Sequence, residues 1–392
     1  MKIVIAPDSF KENLTSLEVA TAIEKGIKRV LPRAECIKVP MADGGEGTVQ
    51  SLVDATGGKI LKKKVTGPLG IPVIARYGML GDGVTAVIEM AQASGLPLVP
   101  KADRDPLKTT TFGTGELIID ALKQGAKSII IGIGGSATVD GGAGMAQALG
   151  VKLLGKDGLP IARFAGGGSL NAIARIDMTG LDKRIKDTRI IIASDVDNPL
   201  CGRNGAARVF GPQKGATPPM VRTLDDNLKH FAAVIKAELG IDVAKLRGAG
   251  AAGGLGAGLV AFTRARLKSG IDLVVEATRL NQHLKGADLV ITGEGRVDFQ
   301  TAFGKTPAGV AKAARRHKVP VVAIGGGLAD DARKLFDQGI DGLASAAARD
   351  MDLAEAIRLS RQHLENAAER VIRLLLIGKK MRTPPRGKTG SS

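Results

Sequence analysis

The sequence predicts an α/β protein: a Rossmann-like parallel sheet domain with a second α/β domain inserted into it, and an active site in the interdomain cleft. Three observations carry this expectation. Strand-like apolar runs and amphipathic helical runs alternate at both ends of the chain, the pattern of parallel strands joined by right-handed crossovers. The middle of the chain has a different texture, with hairpin-like stretches and the glycine-richest loops. Four loops that mix glycine with carboxylates each follow an apolar β-type run, and ligands of open parallel sheets bind beyond the carboxyl ends of the strands.

The elements follow in order. Residues 3–6 read as a buried strand. After Ser16, residues Leu17, Ala20, Ile23, Ile27 and Val30 share one helical face, and Pro32 lies past its end. A strand at 36–40, a helix over 46–56 ended by Gly57-Gly58, and a strand at 59–65 complete the first stretch. In the middle, 73–80 and 84–90 flank the turn Gly81-Asp82-Gly83, and 129–133 and 189–193 are apolar strand runs. The last hundred or so residues return to the alternation: a strand at 288–292, a helix over 307–317, strands at 320–324 and 343–346, and a long amphipathic helix over 352–377. The expected organisation is therefore 1–65 with 287–378 as the Rossmann-like domain, 66–286 as the inserted domain, and 379–392 as a basic disordered tail containing Pro384-Pro385 and no acidic residue.

Composition narrows the function classes. The chain has 392 residues, 44% of them apolar and 24% charged, as in an ordinary globular protein. Cys36 and Cys201 form no CxxC pair, and His230, His283, His317 and His363 lack metal-ligand spacing, which argues against a disulfide framework or a zinc site. No Trp and a single Tyr, Tyr77, leave no stacking platform for single-stranded nucleic acid. The net charge of +17 is partly concentrated in Lys379, Lys380, Arg382, Arg386 and Lys388 and otherwise spread without a recognition motif. It reads as solvated surface that suits anionic substrates rather than nucleic acid. The apolar runs are too short for a secretory signal or a membrane span, so the expected location is the reducing cytoplasm, with no membrane partner.

The four loops carry the chemistry. Pro7-Asp8-Ser9-Phe10-Lys11 follows the first strand; its lysine could reach a phosphate, or Asp8 and Ser9 could cap a helix. Asp43-Gly44-Gly45-Glu46-Gly47 sets two acids among three glycines, suited to Mg²⁺ or a hydroxyl, or to charging the first turn of the next helix. Gly134-Gly135-Ser136-Ala137-Thr138-Val139-Asp140 is a glycine-rich turn whose N–H groups suit a phosphate. Gly293-Glu294-Gly295-Arg296-Val297-Asp298 is the fourth. Asp195 follows the strand at 189–193 in the same kind of loop. Two further stretches are ambiguous: 109–116 reads as an anion site or ordinary capping, and 248–253 as a phosphate loop or tight helix packing. Gly304-Lys305-Thr306 fails as a P-loop, because Phe299 stands where that motif needs glycine.

At these residues the chain resembles the glycerate kinase family of the bacterial glycerate 2-kinase type. The matching stretches include APDSFKE (6–12), PMADGGEGT (40–48), PLKTTTFGTGELI (106–118), IGIGGSATVDGGAGMAQALG (131–150), VFGPQKGAT (209–217), GAGAAGGLGAGL (248–259) and DLVITGEGRVDFQT (288–301). The resemblance implies phosphorylation of D-glycerate by ATP with Mg²⁺, on a two-domain fold. It implies Asp8, Lys11, Asp43, Asp195 and Glu294 as catalytic residues, with Asp43 and Asp195 toward the metal. Ser9, Glu46, Arg296, Asp298 and Lys305 fall to the substrate, with Arg296 gripping its carboxylate. Gly134, Gly135, Ser136, Thr138 and Asp140 fall to the nucleotide. Three places depart from the family pattern: Val139 where Asn is usual, Phe299 where a small polar residue is usual, and Gly325-Gly326-Gly327. Transfer to O3 rather than O2, a weakened sugar-acid binding protein, and a nucleotide-using oxidoreductase stay open at this point, as does a homo-oligomer.

Overall fold

The structure, a computed structural model, describes residues 1–11, 13–298, 301, 305–347 and 349–382. The strands in chain order are β1 (Lys2–Ile5), β2 (Glu35–Lys38), β3 (Lys59–Thr66), β4 (Pro72–Met79), β5 (Thr85–Glu89), β6 (Ser128–Gly132), β7 (Lys152–Leu154), β8 (Arg175–Asp177), β9 (Arg189–Ala193), β10 (Arg266–Lys268), β11 (Leu289–Val297), β12 (Val321–Leu328) and β13 (Gly342–Ser345). The chain divides into two compact units, Met1–Met41 with Thr278–Ser392, and Ala42–Ala277.

The first unit is built on a five-stranded sheet of order β13-β12-β11-β1-β2, parallel throughout. β1 lies between β11 and the edge strand β2, with Ile3 opposite Leu289 on one side and Cys36 on the other. Its apolar run is continuous because a parallel strand is covered on both faces. Ile3, Ile5, Ile23, Ile27, Leu289 and Ile291 pack with Leu364 and Ile372 of the last helix. The helix Ser16–Val30 starts on a capping box, Thr15 and Glu18 satisfying each other's backbone N–H. The expected single helix over 352–377 is two: Leu353–Arg358, capped by Asp352, and Ser360–Arg382. The second one takes in 379–382, which the sequence assigned to the tail; 383–392 lie outside the described residues.

The second unit has a six-stranded sheet of order β10-β9-β6-β5-β4-β3. β5, β6, β9 and β10 are parallel, and β3 and β4 add on antiparallel. Ile88, Ile129, Ile131, Ile192, Phe231 and Phe262 belong to its core. The unit boundaries fall at 41/42 and 277/278, not at 65/66 and 286/287. For the first boundary the reason is β3: it pairs along its whole length with β4, Lys59 opposite Met79 and Thr66 opposite Pro72, and so lies in the second sheet. β7 and β8 form a separate antiparallel pair. Among the described residues no helix is long and apolar enough to cross a membrane.

Candidate active site

In the second unit β6 and β9 are parallel neighbours, so the loops leaving their carboxyl ends lie side by side. With residues 43–45 these loops line a pocket of about 290 Å³, completed by Phe210, Gln213, Lys214, Ala251 and Ala252. Asp43 and Asp195 both face it. Asp43 Oδ1 accepts from Gly45 N at 2.9 Å, and Asp195 Oδ1 accepts from Gly270 N at 3.2 Å. The surrounding protein raises the Asp195 carboxyl above its ordinary range, and the charges of Asp43 and Asp272 push the same way, against hydrogen bonds from Ser269 and Gly270.

The loop carrying Asp43 is held from two sides. Glu89, at the end of β5 and only 9% exposed, accepts from Val49 N at 2.9 Å and so caps the helix Thr48–Thr56 from outside it. Burial holds its carboxyl up, although backbone donors at 47–49 pull the other way. On the other side Gly44 adopts φ +91°, and a Cβ added at Gly270 would lie 2.0 Å from the Asp43 carbonyl oxygen. Gly270→Ala must therefore move the Asp43 backbone. Misplacement on that scale lowers kcat/KM by roughly 10- to 100-fold. Steady-state kinetics beside a melting curve check this, and an unchanged kcat/KM in a folded variant would release Gly270 from the role.

The 134–140 loop divides between pocket and core. Gly134, Gly135 and Ser136 line the pocket. Ala137 N donates to Ser94 O at 2.9 Å, which removes it from the expected N–H cradle. Thr138 and Asp140 are fully buried and absent from the pocket wall, so their expected contact with a nucleotide is corrected. Asp140 Oδ2 accepts from Thr111 N (2.8 Å), Thr111 Oγ1 (2.7 Å) and Gly144 N (3.3 Å), and Oδ1 from Gly142 N (3.2 Å). It is an internal anchor that fixes the loop to the start of the helix Phe112–Lys123. Burial raises its carboxyl against those donors. The 109–116 stretch is likewise turned inward, with Thr109 Oγ1 donating to Ala137 O at 2.9 Å. Val139 is a core residue at 0% exposure and lies outside the pocket wall. In the 248–253 stretch tight packing dominates: a Cβ at Gly253 would lie 1.9 Å from Thr138 O, while Ala251 and Ala252 reach the pocket.

Lys214, which the sequence offered only inside a matching stretch, is the main residue missed. Its side chain is 2% exposed, yet it lines the pocket. Its Nζ donates to Ser136 Oγ at 2.6 Å and to Thr138 O at 2.7 Å. Glu46 is exposed and lies outside the pocket wall.

In the first unit the ends of β1 and β11 gather a second polar cluster. Asp8 is 7% exposed; its Oδ1 accepts from Ser9 N at 2.6 Å and its Oδ2 from Thr306 Oγ1. Glu294 accepts from Thr301 Oγ1 and lies 3.7 Å from Lys305 Nζ. Thr301 and Asp298 close a small turn, with Thr301 N donating to Asp298 O at 3.1 Å. Lys11 and Arg296 are exposed. Thr301 and Thr306 had no role in the sequence reading, because their partners Glu294 and Asp8 lie 7 and 298 residues away and no local spacing links them. Phe299 lies outside the described residues.

Among the described residues no group of three or more His, Cys, Asp or Glu is placed to hold a metal. Mg²⁺ needs less: it binds through one or two carboxylates and completes its shell with water and substrate phosphates. Asp43 and Asp195 fit that use, since the Asp43 charge helps to raise the Asp195 carboxyl and a cation beside such groups offsets it.

Paired carboxylates, a glycine-rich turn and a buried ammonium on one pocket are the equipment of a phosphotransferase. The chain belongs to the glycerate kinase family, whose model matches residues 3–376. It is 58% identical over 369 residues to a glycerate kinase of Halalkalibacterium halodurans, covering 94% of this chain and 97% of that one. It is 54% identical over 378 residues to the glycerate 2-kinase of Escherichia coli K12, covering 96% and 99%. A crystal structure from Salmonella typhimurium LT2 of a protein assigned as glycerate kinase 2 matches with a TM-score of 0.90 at 52% identity, covering 97% of this chain and 99% of that one.

Proposed function

We propose that the protein transfers the γ-phosphoryl group of ATP to the 2-hydroxyl of D-glycerate, giving 2-phosphoglycerate and ADP. The observation that carries this reading is the pocket beyond β6 and β9, where Asp43, Asp195, the 134–136 turn and Lys214 share one wall, in a chain that matches the family from residue 3 to 376.

Phosphoryl transfer asks mainly for positioning and charge neutralisation. The 134–136 turn takes the phosphate chain at a glycine-rich loop. Asp43 and Asp195 are the residues that would hold Mg²⁺, which supplies neutralisation of phosphate charge when bound. One of these carboxylates, or Asp8 or Glu294 of the first unit, accepts the proton of the glycerate hydroxyl. Lys11, Arg296 and Lys305 are the first unit's cations for anionic substrate, Arg296 through its bidentate fork. Ser9 and Asp298 of the first unit and Glu46 of the second are the remaining polar contacts of the proposal. A reaction that draws on ATP belongs to the cytoplasm.

The reading is tested by incubating the whole protein with ATP and identifying the product by phosphorus NMR. ATP is expected to disappear only with both D-glycerate and Mg²⁺ present, and chelation of the metal to stop it. Equal ATP loss without glycerate, or a product phosphorylated at O3, overturns the corresponding part.

A further inference from the structure

We propose that Lys214 is a phosphate-binding residue of the pocket, its buried ammonium engaging the phosphate chain of the bound nucleoside triphosphate. This rests on the kinase reading above.

The case is geometric. A lysine is almost never fully buried unless it is paired with an acid. At 2% exposure, Lys214 is among the largest fully buried side chains of the described residues, and no ion pair is formed by it there. Its Nζ is aimed instead at two neutral oxygens of the glycine-rich loop, Ser136 Oγ and Thr138 O. An ammonium has three N–H donors, so these two contacts leave one for a ligand in the pocket that Lys214 lines. The turn that carries it, Pro212–Lys214, ends in Gly215 at φ +94°, and Arg104 holds the turn by donating to Gln213 O at 3.5 Å. The lysine is thus fixed against the same loop whose Gly134, Gly135 and Ser136 form the pocket wall.

The charges facing it agree with this. Asp140 favours its charged form from behind the loop, but burial wins and lowers Lys214 to about 7. The other charged groups around it are Asp43 and Asp195, which line the same pocket, Arg208 on the adjoining helix Ala206–Phe210, and Arg104. At pH 8 the empty site therefore holds mostly neutral amine. A phosphate chain favours the ammonium, so binding must draw a proton into the site.

The experiment titrates AMP, ADP and ATP into the whole protein and into Lys214→Met by calorimetry. In the parent, affinity should rise along that series. In the variant, ATP should bind roughly 10- to 100-fold more weakly, the effect of losing one hydrogen bond to a charged group, while AMP stays within about threefold. A merely structural lysine would weaken AMP and ATP alike, and that result overturns the proposal, as does a variant that discriminates as the parent does. Should the variant not fold, the parent alone decides. ATP titrations at pH 8 in two buffers of different ionisation enthalpy should report proton uptake, and none overturns the proposal. Glycerate-dependent ATP turnover by the same parent sample separates the two readings. Turnover with an unaltered variant sinks Lys214 alone; the predicted binding pattern without turnover sinks the kinase reading and keeps Lys214.

Discussion

Asp195→Asn is expected to lower kcat/KM by roughly 100-fold or more, the scale at which one preorganised charge-stabilising group is felt. The substitution keeps the shape of the side chain. Its remaining carbonyl oxygen can still accept from Gly270 N, the contact Asp195 makes at 3.2 Å, and the position is exposed, so the fold should stand. What is lost is charge. Asp43 alone then faces the pocket as a carboxylate beside the 134–136 turn, and the requirement for Mg²⁺ should rise in concentration. The pH profile gives a second readout with a definite sign. Desolvation, then the charges of Asp43 and Asp272, raise the Asp195 carboxyl, so its active ionised form is lost on acidification sooner than for an ordinary aspartate. The acid limb of kcat/KM should lie above the usual carboxylate range. A variant with parental kcat/KM would remove Asp195 from the machinery.

Asp140→Ala is expected to destabilise the protein by roughly 3–5 kcal/mol, comparable to breaking a buried charged network. The carboxylate receives the backbone N–H groups of Thr111, Gly142 and Gly144 and the Thr111 hydroxyl. Its removal leaves those donors in the interior, and each unmet buried donor costs about 1–3 kcal/mol. Asp140→Asn, which keeps an acceptor, should fall between the two. Urea unfolding monitored by circular dichroism measures both. A loss under about 1 kcal/mol for the alanine variant, within the range of an ordinary substitution, would contradict the anchoring role. If Asp140 touched nucleotide directly, the asparagine variant would change ATP affinity while leaving the unfolding midpoint in place, the reverse of what its burial predicts.

The two variants also mark what a sequence can and cannot convey. Asp195 and Asp140 each follow an apolar strand run, and both were read as facing ligand, Asp195 toward the metal and Asp140 toward the nucleotide. One opens to the pocket and the other is sealed in the core. That difference is set by which side of the loop the helix Phe112–Lys123 covers, a contact between segments about thirty residues apart. The alternation of strand and helix was legible because it is local: β1, β2 and β13 lie close to where apolar runs predicted them, while β11 runs on to Val297 through the stretch read as the fourth loop and β12 runs on to Leu328. β3 was equally visible as a strand, but its partner was not, since KILKKKVT suits an edge in either sheet and only pairing with β4 decides. Lys214 and Glu89 were illegible for another reason. Charged residues read as surface by default, and nothing in the neighbouring sequence marks the two that the fold encloses. Glycine in 248–253 was noticed, yet the need for it at Gly253 comes from the carbonyl of Thr138, far away in sequence.

The placement of β1 between β2 and β11 has a consequence for how the chain is made. Synthesis runs from the amino end, and domains fold as units during it. The segment 42–277 is contiguous, so every strand of its sheet leaves the ribosome in one stretch. β1 and β2 emerge before any of it and can pair only with each other until residues 289–345 follow. Throughout that interval Ile3 and Ile5, destined for full burial, lack their partners Leu289 and Ile291. The unit whose translation begins first is the one completed last.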